Sequence, residues 1–428
     1  MSASDTIAAL SSGRPPAAIA VVRVSGPATQ AVAASLAGRV PEPRRASLAR
    51  LTDPTTGDLL DEALMLFFPG PNSATGEDLL EFQCHGGRAT VDAVIGAILE
   101  VEGLRMAEPG EFTRRALGNG RLDLTEAEGL ADLLAAETQL QRKSAMLRAG
   151  GALRREIEEF RDSILALSAR AEVAIDYADE DDGVAHDGAL ASDIAALADE
   201  IERLAKAPRV EPLREGIRVV VGGPPNSGKS SLINAISRSD RAIVTNIPGT
   251  TRDVIEVPVA IGGIPFVLVD TAGLRDSDDV VEAIGIERAS AQIGDADLLL
   301  WMGDAHDRPT GGHVLQLHPK ADLGKAAISG DGLPISTVTG EGLAELGDWL
   351  GTRAQDLLPG ERELALDRRQ RRLLGRAMEA LARVAVLRDP VLIAEELRVA
   401  RAALDGITGR AGVEDLLDAL FGRFCLGK

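Results

Sequence analysis

The stretch "GPPNSGKSS" carries the most specific chemistry in the chain. Gly223 and Gly228 flank a short loop, and Lys229 and Ser230 follow it directly. The apolar run "IRVVV" precedes the loop and the helix-like "SLINAI" follows it. Glycines let such a loop curl until its N–H groups face phosphate oxygens. The lysine supplies positive charge to the terminal phosphates, and the serine hydroxyl can ligate magnesium. A Gly-rich turn alone would not need the strand before it and the helix after it.

Two further elements stand where a nucleotide switch needs them. "LVDTAGL" ends an apolar strand on Asp270, a carboxylate able to hold magnesium through water, and Gly273 can offer its N–H to a γ-phosphate. "PGTTRD" presents Thr250 and Thr251 in a loop that phosphate and magnesium would order. Their order along the chain predicts a switch-type GTPase domain. The base-reading element departs from the usual Asn-Lys-x-Asp: "HPKADL" keeps Lys320 and Asp322 but has Pro319 at the asparagine position. Ser336 and Thr337 in "ISTVTGEGL" follow as the next base-side element. Guanine remains the expected base, held with lower affinity.

The elements that position these residues can be read from texture. Residues 1–120 mix β-like runs such as "AIAVVRVSG", "EALMLFFPG" and "DLLEFQCHGG" with Gly/Pro turns, which predicts a compact α+β domain. Residues 121–215 turn Ala/Leu/Glu/Arg-rich with helical spacing in "LTEAEGLADLLAAETQLQRKSAML" and "LRREIEEFRDSILALSARAEVAI". Between these helices and the next stretch lies an acidic turn, "DYADEDDGVAHDG". Residues 216–355 alternate strand and helix patterns, which implies a parallel α/β sheet. Helical texture returns over residues 356–428. The economical architecture is an α/β domain inserted into a discontinuous helical domain.

Composition limits the function. The chain has 428 residues and 46 basic against 66 acidic side chains, a net charge of −20. That balance excludes broad electrostatic wrapping of nucleic acid but permits a local basic patch. Aromatic content of 3% leaves few stacking platforms for bases. Two cysteines, Cys84 and Cys425, make no disulfide framework and predict a reducing, cytoplasmic setting. The N-terminus lacks signal-peptide texture, and no run of 18 apolar residues predicts a membrane span.

Taken in order, "VVRVSGP", "TGEDLLEFQCHGG", "PGEFTRRALGNGRLDLTEAEGL", "GPPNSGKSSLINAI", "IPGTTRD", "DTAGLRDSDDVVEAIGIERA" and the terminal "CLGK" run nearly the length of the chain. Through them it resembles the MnmE (TrmE) family of tRNA modification GTPases, although it is somewhat short around "GDAHDRPTGGHVLQLHPKAD". The resemblance implies a tetrahydrofolate-binding N-terminal domain that also dimerises, a discontinuous helical domain and an inserted G domain. It implies a homodimer that works with the flavoprotein MnmG, in a heterotetramer or larger complex carrying FAD and NADH. Together they would add a carboxymethylaminomethyl group to C5 of the wobble uridine of certain tRNAs. The one-carbon unit would come from 5,10-methylene-tetrahydrofolate, of which 5-formyl-tetrahydrofolate is an analogue, and glycine or ammonium would supply the amine.

The resemblance also implies site residues. GTP would be held by Asn226, Ser227, Gly228, Lys229, Ser230 and Ser231; by Thr245, Asn246, Ile247, Pro248, Gly249, Thr250 and Thr251; by Asp270, Thr271, Ala272 and Gly273; and by Lys320 and Asp322. Magnesium would fall to Ser230 and Thr251, and potassium to Asn226, Thr245, Ile247 and Thr250. A monovalent cation there would take over an arginine finger's charge. Glu282 matches the residue that orients the attacking water, although on its own an acid at a helix start is more often a dipole-stabilising charge. Arg275, in the same switch loop, is not assigned a catalytic part. The folate pocket would use Arg23, Glu81, Arg121 and the terminal Lys428. Glu81 suits the amide-like edge of a pterin, and the guanidinium groups suit its glutamate tail. Cys425 is either a nucleophile beside the folate carbon or a tail cysteine that only packs, and the sequence leaves both open. Cys84 beside His85 looks like a reactive pair, but "CHGG" is more simply a strand-end turn.

Two other readings compete. A GTP switch for ribosome assembly would share the G-domain motifs but has no need of Arg23, Glu81, Arg121 and a terminal Cys-x-Gly-Lys. A folate-dependent aminomethyltransferase would have no need of a phosphate loop.

Overall fold

The computed structural model describes residues 5–176, 188–239, 242–244, 256–270, 293–294, 296–310, 312–323, 331–360, 363–410, 420–422, 424 and 427. The chain divides into two compact units. One comprises Met1–Ala131, Arg154–Glu158 and Leu404–Lys428; the other comprises Asp132–Leu153 and Glu159–Ala403.

In the first unit the chain runs β1 (Thr6–Leu10), β2 (Ile19–Ser25), α1 (Thr29–Ala37), β3 (Ser47–Thr52), β4 (Leu59–Phe68), β5 (Leu79–His85), α2 (Arg88–Leu99), β6 (Leu104–Met106) and α3 (Glu111–Gly118). The strands form one sheet in the order β3-β4-β5-β2-β1-β6, antiparallel except for the β1–β6 pair. Alternation along β2 and β5 sends Val22, Val24, Leu80, Phe82 and Cys84 into the core with α1 and α2. Arg23 and Glu81 therefore fall on the opposite face, directly across from each other in register.

Helices follow: α4 (Leu124–Ala135), α5 (Gln139–Ala149), α6 (Ala152–Asp176), α7 (Gly188–Ala205) and α8 (Glu211–Glu215). The helical run expected through "LTEAEGLADLLAAETQLQRKSAML" is broken between α4 and α5. Thr138 stops it with a reciprocal cap, its hydroxyl accepting from Gln141 N and Gln141 Oε1 accepting from Thr138 N. Most of the acidic turn "DYADEDDGVAHDG" lies outside the described residues.

The α/β elements are β7 (Ile217–Gly222), α9 (Lys229–Ser237), β8 (Ala242–Val244), β9 (Glu256–Ile261), β10 (Ile264–Asp270), β11 (Leu298–Trp301), β12 (His313–Pro319), β13 (Leu333–Ile335) and α10 (Leu343–Leu357). Their sheet order is β13-β12-β11-β7-β10-β9-β8. Five strands run parallel, and β8 and β9 add an antiparallel edge, so the sheet is mixed rather than wholly parallel as its strand–helix alternation suggested. Along β7, Val219 and Val221 face one core and Val220 the other. That two-sided burial is why residues 219–221 read as an unbroken apolar run after Arg218. Two further helices follow, α11 (Arg368–Val384) and α12 (Pro390–Thr408); α11 packs on α7. Among the described residues no helix is long and apolar enough to cross a membrane.

Candidate functional site

The phosphate loop joins β7 to α9. Gly223 has φ +144 and Gly228 φ +101, conformations closed to ordinary side chains, and Asn226 adopts φ +60 between them. A Cβ at Gly223 would also stand 3.0 Å from the Met302 carbonyl carbon. Lys229 is buried at the first turn of α9 and donates to the loop's own carbonyls, Gly223 O at 3.0 Å and Pro224 O at 2.8 Å. Ser231 follows on the same helix and is exposed. The Ser227 hydroxyl is buried with no hydrogen-bond partner among the described residues. A buried hydroxyl left open in a loop of N–H donors fits a nucleotide phosphate.

Register explains why Ser230 and Asp270 meet. Asp270 ends β10 opposite Val221 of β7, so the strand delivers its carboxylate to the start of α9. Ser230 Oγ donates to Asp270 Oδ2 at 2.5 Å. A hydroxyl and a carboxylate brought together are the oxygen donors a hard divalent cation takes. Lys320, with φ +62, reaches Asn226 O at 3.5 Å and so links the base element to the phosphate loop. Asp322 accepts the Ser336 hydroxyl at 2.6 Å. That same Ser336 oxygen accepts from Val338 N and Thr339 N, so the following turn braces the Asp322 carboxylate. Pro319 ends β12 opposite Ile335. Thr245, Asn246, Ile247, Pro248, Gly249, Thr250, Thr251, Thr271, Ala272, Gly273, Arg275 and Glu282 lie outside the described residues. Of the four expected potassium positions, only Asn226 is described.

In the N-terminal sheet, Arg23 and Glu81 form a forked pair. Arg23 Nε and Nη2 both donate to Glu81 Oε1, at 3.0 and 2.7 Å. The guanidinium lies 5.8 Å from the centre of the Phe112 ring, which α3 supplies. Arg121 is exposed in the turn after α3, its Cγ close against Gly76. The pair fits a ligand that offers both an amide edge and a carboxylate, because each partner has lone pairs or N–H groups beyond those the pair uses.

The C-terminal segment docks on this same unit. Phe421 stacks near Phe424, lies against Gly110 and sits under the Arg114 guanidinium. Gly427 accepts from Ser11 Oγ at 2.8 Å and rests on the Leu10 carbonyl. Leu10 pairs with Val22 on β2, one residue from Arg23. Cys425 and Lys428 lie outside the described residues. Sequence reasoning does not single out Ser11 or Phe112, since a turn serine and a core phenylalanine carry no spacing signal.

Cys84 and His85 are not a reactive pair. Strand alternation buries the thiol, and burial, reinforced by the negative charge of Asp61, pushes it up to about 12. His85 points to the other face and meets Asp61 Oδ1 through Nδ1 at 2.7 Å. No thiolate is available there at neutral pH.

The chain matches two family descriptions: "GTP-binding protein TrmE N-terminus" over residues 6–121 and "MnmE helical domain" over residues 124–425. Its curated relatives include the tRNA modification GTPase MnmE of Rhizorhabdus wittichii, 54% identical over 100% of this chain and 97% of the relative. The MnmE of Novosphingobium aromaticivorans is 50% identical over 99% of this chain and 100% of its own length. Among solved structures, the G domain of the FeoB iron transporter of T. maritima is 26% identical, covers 32% of this chain and 99% of its own, and has a TM-score of 0.23. That last likeness is too weak to carry weight; the full-length relatives are decisive. With a phosphate loop, a Ser230–Asp270 pair and a TrmE-type N-terminal sheet in one polypeptide, the chain belongs to the MnmE family of tRNA modification GTPases.

Proposed function

We infer that this GTPase works with the flavoprotein MnmG to add a carboxymethylaminomethyl group to C5 of the wobble uridine of certain tRNAs, in the cytoplasm, as a homodimer within a larger complex. Residues 1–120 would bind folate and dimerise. Residues 121–215 and 356–428 would form the helical domain, and residues 216–355 the G domain. The observation that carries the hydrolytic half is the Ser230–Asp270 contact behind the phosphate loop.

Lys229 would exchange its two loop carbonyls for the terminal phosphates, keeping its charge paired throughout. Ser230 Oγ and Asp270 would turn from each other toward magnesium, which when bound supplies positive charge to the β- and γ-phosphate oxygens. Asp322, braced by Ser336, would accept from the guanine N–H groups. Asn226 would present its side chain to potassium, with Thr245, Ile247 and Thr250, and Glu282 would orient the attacking water. Arg23, Glu81, Arg121 and Lys428 would hold a reduced folate as the one-carbon donor, with Cys425 beside it. FAD and NADH would belong to the partner.

Mass spectrometry of wobble nucleosides from cells lacking the protein, with and without complementation, tests the whole reading. Unmodified wobble uridines restored by the wild-type chain are expected; a normal nucleoside profile in the deletion strain would refute it. GTP hydrolysis compared in potassium and sodium at equal ionic strength tests the cation. Equal rates, or a wild-type potassium response in Asn226→Ala, would remove Asn226 from the site.

A further inference from the structure

Helix α11 concentrates basic charge against the trend of the chain. Its sequence, RRQRRLLGRAMEALARV, holds six arginines and one acid, Glu379, in a protein of net charge −20. Arg368, Arg372 and Arg376 recur every fourth residue and are all exposed, so they form one stripe on the solvent side. Four residues of helix rise about 6 Å, comparable with the spacing of successive phosphates along an RNA strand.

The neighbouring chain extends the stripe. Arg371 turns inward and donates to the carbonyls of Ala205 and Ala207, fastening the end of α7 to α11. Exposed Arg209 is thereby held beside it, where Arg209 pairs through a backbone bridge with Leu366. Three of the acids nearby are already engaged, and a further one, Glu379, lies three residues beyond Arg376 on the same helix. Glu211 accepts from the Arg368 backbone N–H, Glu202 pairs with Lys206, and Asp367 caps the helix through Gln370 N. Arg383, further along, pairs with Glu396 of α12. Among the described residues no carboxylate pairs with Arg209, Arg372 or Arg376.

A solvated helix face is the bland explanation, and the charge placement argues against it. Such faces intersperse acids three or four residues from bases, and α11 has none within reach of Arg368 and Arg372. Its first turn carries Arg368 and Arg369 and no acid of its own, so the dipole's positive end is met only by the Asp367 cap and by Glu211 from the neighbouring segment.

We propose that the stripe Arg368–Arg372–Arg376, with Arg209 beside it, is a contact surface for the phosphate backbone of tRNA. This rests on the family reading of the chain as a tRNA modification GTPase. Guanidinium forks match phosphate oxygens. With no aromatic side chain on α11 the surface positions RNA without reading its bases.

The test uses the full-length protein with Arg368→Gln, Arg372→Gln and Arg376→Gln combined. Glutamine keeps helix propensity while removing charge. Binding of an unmodified tRNA transcript is titrated at several salt concentrations. The variant should bind at least about tenfold more weakly at low salt. Its log–log salt slope should be shallower by about 2–3, since each lost phosphate contact removes about 0.7–0.9. GTP hydrolysis and thermal melting should be unchanged, and the matching triple lysine variant should keep the wild-type slope. Wild-type affinity and slope in the glutamine variant would overturn the proposal. So would intact tRNA binding with lost association to a protein partner. If the wild-type chain restores wobble modification in cells yet binds no tRNA, the surface is refuted and the family reading stands. Failure of the wild-type chain to restore modification would instead sink the family reading.

Discussion

Replacing Gly427 with alanine tests whether the C-terminal tail is delivered to the N-terminal sheet. Gly427 has φ +92, and holding an L-residue in left-handed backbone costs about 1 kcal/mol. The added Cβ would stand 2.2 Å from Leu10 O and 2.8 Å from both Leu10 C and Ser11 Cα. These are backbone atoms already fixed, because Leu10 pairs with Val22 and Ser11 N donates to Val21 O at 2.7 Å. The tail must therefore yield, and the Ser11–Gly427 hydrogen bond goes with it, worth about 1 kcal/mol. A combined loss of about 2 kcal/mol lowers the docking equilibrium constant about 30-fold. Ser11→Ala removes the hydrogen bond alone and should lower it only about fivefold. Carboxypeptidase digestion reads docking, and wobble-nucleoside mass spectrometry in complemented cells reads function. The expected order of both losses is Gly427→Ala, then Ser11→Ala, then wild type. GTP hydrolysis should persist throughout, since Lys229, Ser230 and Asp270 are untouched. A Gly427→Ala protein with a protease-resistant tail and full modification would show that the contact with Leu10 is not what holds the segment.

Glu282→Ala should abolish most GTP hydrolysis with little change in GTP affinity, because water positioning acts in the transition state; weakened binding with unchanged turnover would contradict that role. Pro319→Asn should tighten GDP by restoring a side-chain amide at the end of β12, as read by calorimetry, and an unchanged affinity would mean the strand end cannot aim it. In the first unit, Glu111 is almost fully buried, and burial alone would raise its pKa. Hydrogen bonds from Arg105, Glu108 N and Arg115 outweigh that and hold the carboxyl below its ordinary value. A depressed folded pKa stabilises above the ordinary carboxylate range and is lost as pH falls through the folded value, so acid melting should begin there. Glu111→Gln should flatten that acid limb and cost about 2–3 kcal/mol at neutral pH, at the low end for a broken buried pair because Arg105 is partly solvated. An unchanged acid limb would clear Glu111 of the role.

What the sequence reveals depends on whether a residue's role is local. The phosphate loop is legible because Gly223, Gly228, Lys229 and Ser230 act through spacing within one strand–loop–helix. Arg23 and Glu81 stand 58 residues apart, and only the register of β2 with β5 makes them partners. The break at Thr138 was hidden because its neighbours all favour helix, and a reciprocal cap with Gln141 overrides that preference. The antiparallel edge of β8 and β9 is invisible to strand–helix alternation, which says nothing of strands joined by short turns. For Cys84 and His85 the sequence favours a strand-end turn over a reactive pair, and the period-two strand ending at His85 shows why, burying the thiol and leaving the imidazole exposed.

Four groups of the nucleotide site are partnered within the protein, while the buried Ser227 hydroxyl is not among the described residues. Lys229 is paired with Gly223 and Pro224 carbonyls, Ser230 with Asp270, Asp322 with Ser336, and Lys320 with Asn226 O. An isolated charge buried in such a loop would be expensive, and Lys229 is spared that cost by its two loop carbonyls. Binding then exchanges contacts and gains only the difference between them. On that account the asparagine missing at position 319 matters more than one contact suggests. On the proposed reading an amide there would be a base-side donor, while the braced Asp322 would still distinguish guanine from adenine. Selectivity should therefore survive where affinity falls.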